Sequence, residues 1–212
     1  MIKKVDFILV FVLLCSFSLL QAQEEKDENE KKSKISFTTY GGIGFAKVKN
    51  DNEPDYNLNS NGGDVLLSYK ISKSYSIATG FGFNELSGNG FNSLGSFYHE
   101  RFMFRIPLLA VVDYNISGKF NMIANVGFYA QNIMGDEYQF LNTTLKDVYT
   151  GWNFGTQINF ALVFEVSKNF NAGVNFGSQY DFTQVEANNQ GINDKQKIES
   201  VNSVGIFFSF NL

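Results

Sequence analysis

The sequence predicts an all-β fold, namely an eight-stranded antiparallel up-and-down transmembrane β-barrel. The stretch from Gly151 to Phe182 alternates apolar with small polar residues at a period of two, which is the period of a β-strand. Its polar positions are mostly Asn, Gly and Gln, not the charged residues of a water-facing sheet. The same alternation recurs along the chain, between connections that are alternately long and short. Together these observations predict a barrel that faces lipid.

The alternating segments define the predicted strands and the connections between them. The strands are predicted at 35–48, 64–71, 75–84, 97–114, 120–133, 151–166, 170–182 and 198–212. Long polar loops are predicted at 49–62, 85–96, 134–149 and 185–197, and short turns at 72–74, 115–119 and 167–169. In an up-and-down barrel this order places all long loops at one end, opposite both termini. Pro107 donates no backbone hydrogen bond, so we expect a bulge or local break there.

The aromatic face of the strands is predicted to lie outside, because an eight-stranded lumen has room only for its own side chains. Phe160 is then outward and its neighbour Asn159 inward. Aromatic residues near the strand ends would form two girdles. The lower girdle is Phe37, Tyr69, Tyr75, Tyr114, Phe120, Phe164, Phe170 and Phe210. The upper girdle is Phe45, Phe83, Phe102, Phe128, Trp152, Tyr180 and Phe182.

The N-terminus has the pattern of a secretory signal peptide, which we assign to residues 1–22. Two lysines precede an apolar run at 7–20, and Ala22 suits a cleavage site. An uncleaved anchor is the alternative, but a spanning helix needs about 20 apolar residues. Cleavage would remove Cys15, leaving a mature chain without thiol or disulfide chemistry. Residues 23–34 are then a charged periplasmic tail, and 35–212 are the barrel.

The charge of the mature chain argues against nucleic acid as a partner. Of 17 basic and 21 acidic residues, removal of Lys3, Lys4 and Asp6 leaves 15 and 20, a net charge of −5. Charges of both signs nevertheless fall on the lumen face of the predicted strands. They are Lys70, Arg101, Arg105, Asp64, Asp113, Glu165 and Asp181. Because buried charges need partners, we expect a plug of ion pairs, with a selective pore as the alternative.

Sequence motifs for catalysis, metals or cofactors are not recognisable. The single histidine, His99, is followed by Glu100 and preceded by Ser93 and Ser96, but this spacing matches no catalytic pattern. We interpret His99 as a surface or girdle residue. No cysteine or histidine cluster for a transition metal and no phosphate-binding loop is present, so no cofactor is expected.

Two segments resemble known outer-membrane proteins. Ser203, Gly205, Phe208 and Phe210 resemble the C-terminal β-signal of bacterial outer-membrane proteins, although Asn211 and Leu212 extend past its usual aromatic end. The resemblance implies insertion by the barrel-assembly machinery.

The second segment is Arg105-Ile106-Pro107-Leu108-Leu109, with Tyr114 downstream. It resembles the strand common in PorT-like outer-membrane β-barrels, a family similar in size to the OmpA/OmpX barrels. The resemblance implies no particular activity.

The sequence therefore predicts a non-enzymatic barrel in the outer membrane of a Gram-negative bacterium, with both termini periplasmic. Outer-membrane lipid surrounds it, and a protein partner, which the sequence does not identify, is possible at the long extracellular loops. One alternative is a barrel enzyme acting on lipid A or peptides near His99. Another is a soluble secreted ligand-binding barrel.

Overall fold

The computed structural model describes residues 34–188 and 194–212. The predicted signal peptide, and all of the predicted tail except Lys34, lie outside the described residues. Within these two ranges, no helix is long and apolar enough to cross a membrane.

The described residues form eight long strands and two short ones. They are β1 (Ile35–Asn50), β2 (Tyr56–Lys70), β3 (Tyr75–Asn92), β4 (Gly95–Ser117), β5 (Phe120–Gln139), β6 (Thr144–Lys146), β7 (Gly151–Ser167), β8 (Phe170–Asp181), β9 (Val185–Glu186) and β10 (Lys195–Asn211). The long strands pair in the order β1-β2-β3-β4-β5-β7-β8-β10, and β10 pairs antiparallel with β1 to close the ring. The predicted eight-stranded antiparallel up-and-down barrel is confirmed.

The two faces of the strands point as the alternation predicts. Phe160 is 45% exposed on the outside of the barrel, whereas Asn159 beside it is 3% exposed and lies inside. On β1, Phe45 is 69% exposed and Ala46 is 1% exposed. The aromatic face is therefore the outer surface, and the small polar face lines the lumen.

Two of the predicted long loops are wrong, because the flanking strands continue through their polar residues. β2 begins at Tyr56, eight residues earlier than predicted, and only two residues separate the end of β3 at Asn92 from the start of β4 at Gly95. Asn59 and Ser87 are partners in the β2–β3 ladder. Asn, Ser and Gly are typical of turns, but here their backbone groups complete a sheet.

The other two predicted long loops are shorter than expected. β5 runs on to Gln139 and β6 pairs back onto it, while β9 pairs with the start of β10. Connections therefore do not alternate strictly between long and short. The turn at 118–119 is as tight as predicted, since Gly118 has a φ of 54°, a conformation that favours glycine.

The strand that contains Pro107 is interrupted there but not bulged. Pairing between β3 and β4 stops opposite Ile106 and Pro107 and resumes in the same register. The ladder of β4 and β5 has two register shifts, one between Phe102 and Met103, where Met134 is the additional residue, and one between Asn115 and Ser117 beside the turn. The predicted local break is thus observed at Pro107, and the two shifts lie on either side of it, the one at Met134 toward the upper end, meaning the end opposite Ile35.

The lumen is filled in three layers. A lower apolar cluster contains Tyr40, Leu66, Ala78, Leu109, Ile123, Ala161, Val163 and Phe207. An upper apolar cluster contains Ala46, Val48, Leu58, Leu86, Phe97, Met103, Ile133, Tyr138, Val148, Tyr149, Val185, Ile198 and Val201. Buried polar side chains, among them Asp64, Arg105 and Gln131, lie between the two clusters. The barrel thus holds a packed core.

Candidate functional site

The predicted lumen charges fall into two groups. Asp64, Arg101, Arg105 and Asp181 are at most 2% exposed inside the barrel. The remaining three, Lys70, Asp113 and Glu165, are only partly buried and lie near the lower strand ends. Lys70 Nζ donates a hydrogen bond of 3.5 Å to Asn211 Oδ1 there. The seven residues therefore do not form one cluster.

The buried charges belong to two separate hydrogen-bonded networks. We call the first the middle network, and it comprises Asp64, Arg105, Tyr40, Gln157 and Gln179. Arg105 Nη2 donates to Asp64 Oδ1 at 2.5 Å, and Arg105 Nη1 donates to Gln179 Oε1 at 2.5 Å. The second carboxylate oxygen of Asp64 accepts from Tyr40 at 2.5 Å and from Gln157 Nε2 at 3.1 Å. Each charge of the buried pair therefore has an opposite charge and further hydrogen bonds, as burial requires.

Asp181 extends the middle network upward along the lumen. Its carboxylate accepts from Tyr129 Oη at 2.6 Å, from Asn153 Nδ2 at 2.6 Å and from the backbone N–H of Ile198 at 3.0 Å. The guanidinium of Arg105 lies 5.5 Å from the centre of the Tyr129 ring, so a cation–π contact connects Asp181's partner to the Asp64 pair.

A cavity of about 20 Å³ lies beside the middle network, lined by Arg105, Asn159, Asn175 and other polar residues. A void of that size has room for about one water molecule. Its polar lining suits a water and does not suit an apolar ligand.

We call the second buried group the upper network, which comprises Arg101, Asp136, His99, Tyr56 and Tyr138. His99 Nε2 and Arg101 Nε both donate to Asp136 Oδ1, each at 2.7 Å. The backbone N–H of Tyr149 donates to Asp136 Oδ2 at 2.9 Å. One carboxylate therefore fixes two strands and the segment that follows β6.

The hydrogen bonds of His99 determine its tautomer. A carboxylate only accepts, so the proton lies on Nε2, and Nδ1 accepts from Tyr56 Oη at 2.9 Å. Tyr56 then accepts from Tyr138 Oη at 2.8 Å, and the Tyr138 ring stacks on His99 with centroids 4.1 Å apart. Both imidazole nitrogens are engaged inside the protein.

The upper network lies above the apolar band, because the outward residues at its level are Ser87, Glu100 and Glu137, which are partners across β3, β4 and β5. Burial lowers the pKa of His99 to about 4, against the opposing effect of its hydrogen bond to Asp136. Burial alone would raise the pKa of Asp136, but Arg101 and His99 outweigh it and lower that pKa to about 2. The network therefore holds a neutral imidazole beside an ionised carboxylate.

The interpretation of His99 as a surface or girdle residue is wrong, because its side chain is 0% exposed. Its sequence neighbours do not assemble around it: Glu100 points outward, and Ser93 Oγ donates to Glu53 at 2.5 Å. The partners are instead Asp136 and Tyr56, both placed in loops by the sequence. The inward row of the fourth predicted strand, extended from Arg101 by two residues, would have placed His99 inside.

The residues that resemble a β-signal lie on β10. Ser203 and Gly205 belong to the lumen-facing row, and Phe208 and Phe210 belong to the outer row, where Phe210 stacks on Phe170 at 4.8 Å. Their role in assembly stays a prediction. Within the described ranges, no group of three or more His, Cys, Asp or Glu side chains is placed to hold a metal ion.

Neither a protein-family model nor a curated protein matches the sequence. Several solved structures match it in fold. Neisserial surface protein A (NspA) superimposes with a TM-score of 0.54 at 10% identity, over 86% of this chain and 100% of that one. A major outer membrane protein from Thermus thermophilus gives 0.52 at 10% identity, over 83% and 98%. The outer membrane protein OprG from Pseudomonas aeruginosa gives 0.51 at 10%, over 85% and 98%. The likeness is one of fold: a small antiparallel barrel.

Proposed function

We propose that this chain is a non-enzymatic outer-membrane β-barrel protein with a plugged lumen, whose role is structural or depends on contacts at its upper end. The observation that carries the proposal is an apolar outer surface around an interior that is filled and hydrogen-bonded. The sequence placed the possible interaction surface on long loops. Because the connections are shorter than predicted, we assign this surface to the upper ends of the strands instead.

The outer surface fits lipid in composition and height. Large apolar side chains are exposed on every long strand, including Ile77, Leu108, Val126 and Phe176. A water-soluble monomer seldom exposes apolar patches above a few hundred Å². β1 has 16 residues and β4 has 23, whereas a tilted strand crosses a bilayer with about 9–11. The strands are therefore long enough to span and to rise above the membrane.

The location in the outer membrane of a Gram-negative bacterium rests on three supports. The matched structures from Pseudomonas and Thermus are named as outer membrane proteins. Residues 1–22 have the pattern of an export signal, and the end of β10 resembles a signal for the barrel-assembly machinery. The termini lie at the lower end, which we place in the periplasm. Membership of the PorT-like family rests on the strand around Pro107 alone.

The filled lumen favours a plug over a pore and a membrane barrel over a soluble ligand carrier. Eight strands enclose little more than their own side chains, and the cavity beside Arg105 has room for about one water. An enzyme acting near His99 is disfavoured, because that imidazole is buried and both nitrogens are engaged.

The experiment that tests the proposal measures which face meets lipid. Phe160→Cys and Asn159→Cys, each in a Cys15→Ser background, are labelled with a fluorophore and folded into liposomes whose lipid chains carry a quencher. We expect strong quenching at 160 and weak quenching at 159. Reversed ranking, or no quenching at either position, would contradict the membrane barrel.

A further inference from the structure

A row of outward residues crosses β1, β2 and β3 just above the apolar band. Ser87 belongs to the row of Glu100 and Glu137, which lies above that band. In the other direction the row continues from Ser87 through Asn59 on β2 to Phe45 on β1. This part of the outer wall therefore faces the aqueous layer at the upper end and not the hydrocarbon of the membrane.

Phe45 has unusual surroundings for an aromatic residue of the upper girdle. Its side chain is 69% exposed. Phe83 and Phe128 each contact another aromatic ring, whereas Phe45 contacts none within the described residues. Its partners on the two adjacent strands are Asn59 and Asn202. The ring of Phe45 is therefore framed by two amides and is largely free to contact a ligand.

Phe45 lines a groove of about 620 Å³ on the outer surface, and small-molecule sites in proteins measure about 300–1,000 Å³. Asn61 and Glu85, which also line it, are paired across β2 and β3 and are exposed. Neither side chain makes a hydrogen bond or ion pair within residues 34–188 and 194–212. Asn202 Oδ1 accepts from Ser178 Oγ at 3.0 Å, which leaves the amide N–H groups of Asn202 available as donors. The groove thus combines an aromatic face with unengaged donors and acceptors.

The lining of the groove restricts the chemistry of its ligand. Glu85 is the only charged residue among the described residues that line it, so it repels phosphorylated sugars such as the headgroup of lipid A. An apolar ligand would remove the amides and the carboxylate from water without giving them partners. A pyranose ring fits both features, because its C–H groups can lie on an aromatic face and each of its hydroxyl groups can donate and accept.

We propose that this groove binds an uncharged saccharide from the medium outside the cell. The C–H face of one pyranose ring lies on Phe45. The carboxylate of Glu85 accepts from two adjacent hydroxyl groups, which makes these hydrogen bonds charge-assisted, and the amides of Asn61 and Asn202 donate to further ring oxygens. The inference rests on the proposed function, because that function places the upper end outside the cell.

The test is ligand-observed saturation-transfer NMR on the purified protein in dodecylphosphocholine micelles, which contain no sugar. The probes are the methyl pyranosides of glucose, galactose and mannose, and the 6-phosphate of the pyranoside that binds best is its charged counterpart. We expect transfer to the ring C–H protons of at least one uncharged pyranoside and clearly weaker binding of its 6-phosphate. Phe45→Ala should raise the dissociation constant roughly tenfold, because the aromatic contact is lost.

A second variant and two matched controls separate the groove from the rest of the outer surface. Glu85→Gln should weaken binding of the uncharged sugar and reduce the discrimination against its 6-phosphate. Phe128→Ala removes a ring that is 65% exposed on β5, and Glu137→Gln removes an outward carboxylate from the same strand. Both controls lie away from the groove and should leave the two dissociation constants unchanged.

Three results overturn the saccharide site. They are no transfer to any of the three uncharged pyranosides, a dissociation constant that Phe45→Ala leaves unchanged, and equal affinity for the 6-phosphate. A dimer in the micelles that Phe45→Ala dissociates also overturns it and assigns the groove to a contact between two copies. Failure of the membrane proposal is distinguishable, because a fluorophore at Phe160→Cys then shows no quenching in liposomes, whether or not a sugar binds.

Discussion

The lumen contains two buried arginine–aspartate pairs, one above the other, and they differ in what surrounds them. In the middle network, Arg105 and Asp64 are surrounded by hydroxyl and amide groups. In the upper network, the carboxylate of Asp136 is shared between Arg101 and the imidazole of His99. The first pair lies at the level of the apolar band, and the second lies above it.

The comparison teaches that the same ion pair serves two different purposes depending on its third partner. The further partners of the middle network are the hydroxyl group of Tyr40 and the amides of Gln157 and Gln179. An imidazole is the side chain whose charge changes near neutral pH. The upper network can therefore lose stability in acid through His99, whereas the pair of Arg105 and Asp64 has no imidazole partner.

The largest expected effect follows from removal of one charge of the middle network. Arg105→Leu leaves Asp64 buried without its cation, and we expect a loss of about 3–5 kcal/mol in the free energy of unfolding. Urea unfolding in detergent micelles, followed by tryptophan fluorescence from Trp152, measures it.

The double variant Arg105→Leu with Asp64→Leu is the control for this prediction. An apolar pair replaces a buried ion pair at little net cost, so most of the lost stability should return. Equal stability of the single and double variants would show that Asp64 in the single variant is not left as a buried, unpaired charge.

The two networks also show which lumen residues could be predicted from the sequence and which could not. Strand rows around Asn159 and Phe160 predicted both faces, because a period of two persists through each strand. Asp64, Arg105 and Asp181 were found in this way, since they lie within uninterrupted rows. Their individual partners could not be found, because contacts across a lumen depend on barrel register.

Arg101 of the upper network was also found from its strand row, but its partners Tyr56, Asp136 and Tyr138 were not, for two physical reasons. Tyr56 precedes an Asn-rich segment that has turn composition, although it forms a ladder with β1 and β3. On β5, the inward row uses odd positions as far as Ile133, and the bulge at Met134 then moves Asp136 and Tyr138 inward. One additional residue exchanges the inward and outward positions of the residues that follow it. The local sequence does not predict where this occurs.

The second prediction concerns acid. The pKa of His99 is lowered from 6.5 to about 4 by burial, so the unfolded chain binds more protons between those values. Stability is then complete above about pH 6.5 and falls as pH decreases toward 4, by on the order of 3 kcal/mol. The lowered pKa of Asp136 adds a further loss below pH 3.8. Urea midpoints at about pH 7 and pH 5 measure the His99 contribution.

His99→Gln provides the control, because its amide does not titrate. His99 is the single histidine of the chain, so the change in stability from pH 7 to pH 5 should differ between wild type and the variant by the contribution of His99. If wild type and variant lose stability equally in this interval, the acid response does not come from the upper network.

The smallest effect on stability is expected for an exposed ion pair, which serves as the reference for the two buried networks. Lys47 Nζ lies 2.5 Å from Glu199 Oε2 on the outside of the barrel, above the apolar band, with its side chain 46% exposed. Water already solvates both charges, and holding two flexible side chains together offsets most of the attraction. Glu199→Gln should therefore leave the urea midpoint within error of wild type, at pH 7 and at pH 5 alike. A clear loss at both pH values would mean that this bulged end of β10 depends on ion pairing as the lumen does. The distinction between buried and exposed pairs would then no longer explain why Arg105→Leu is severe.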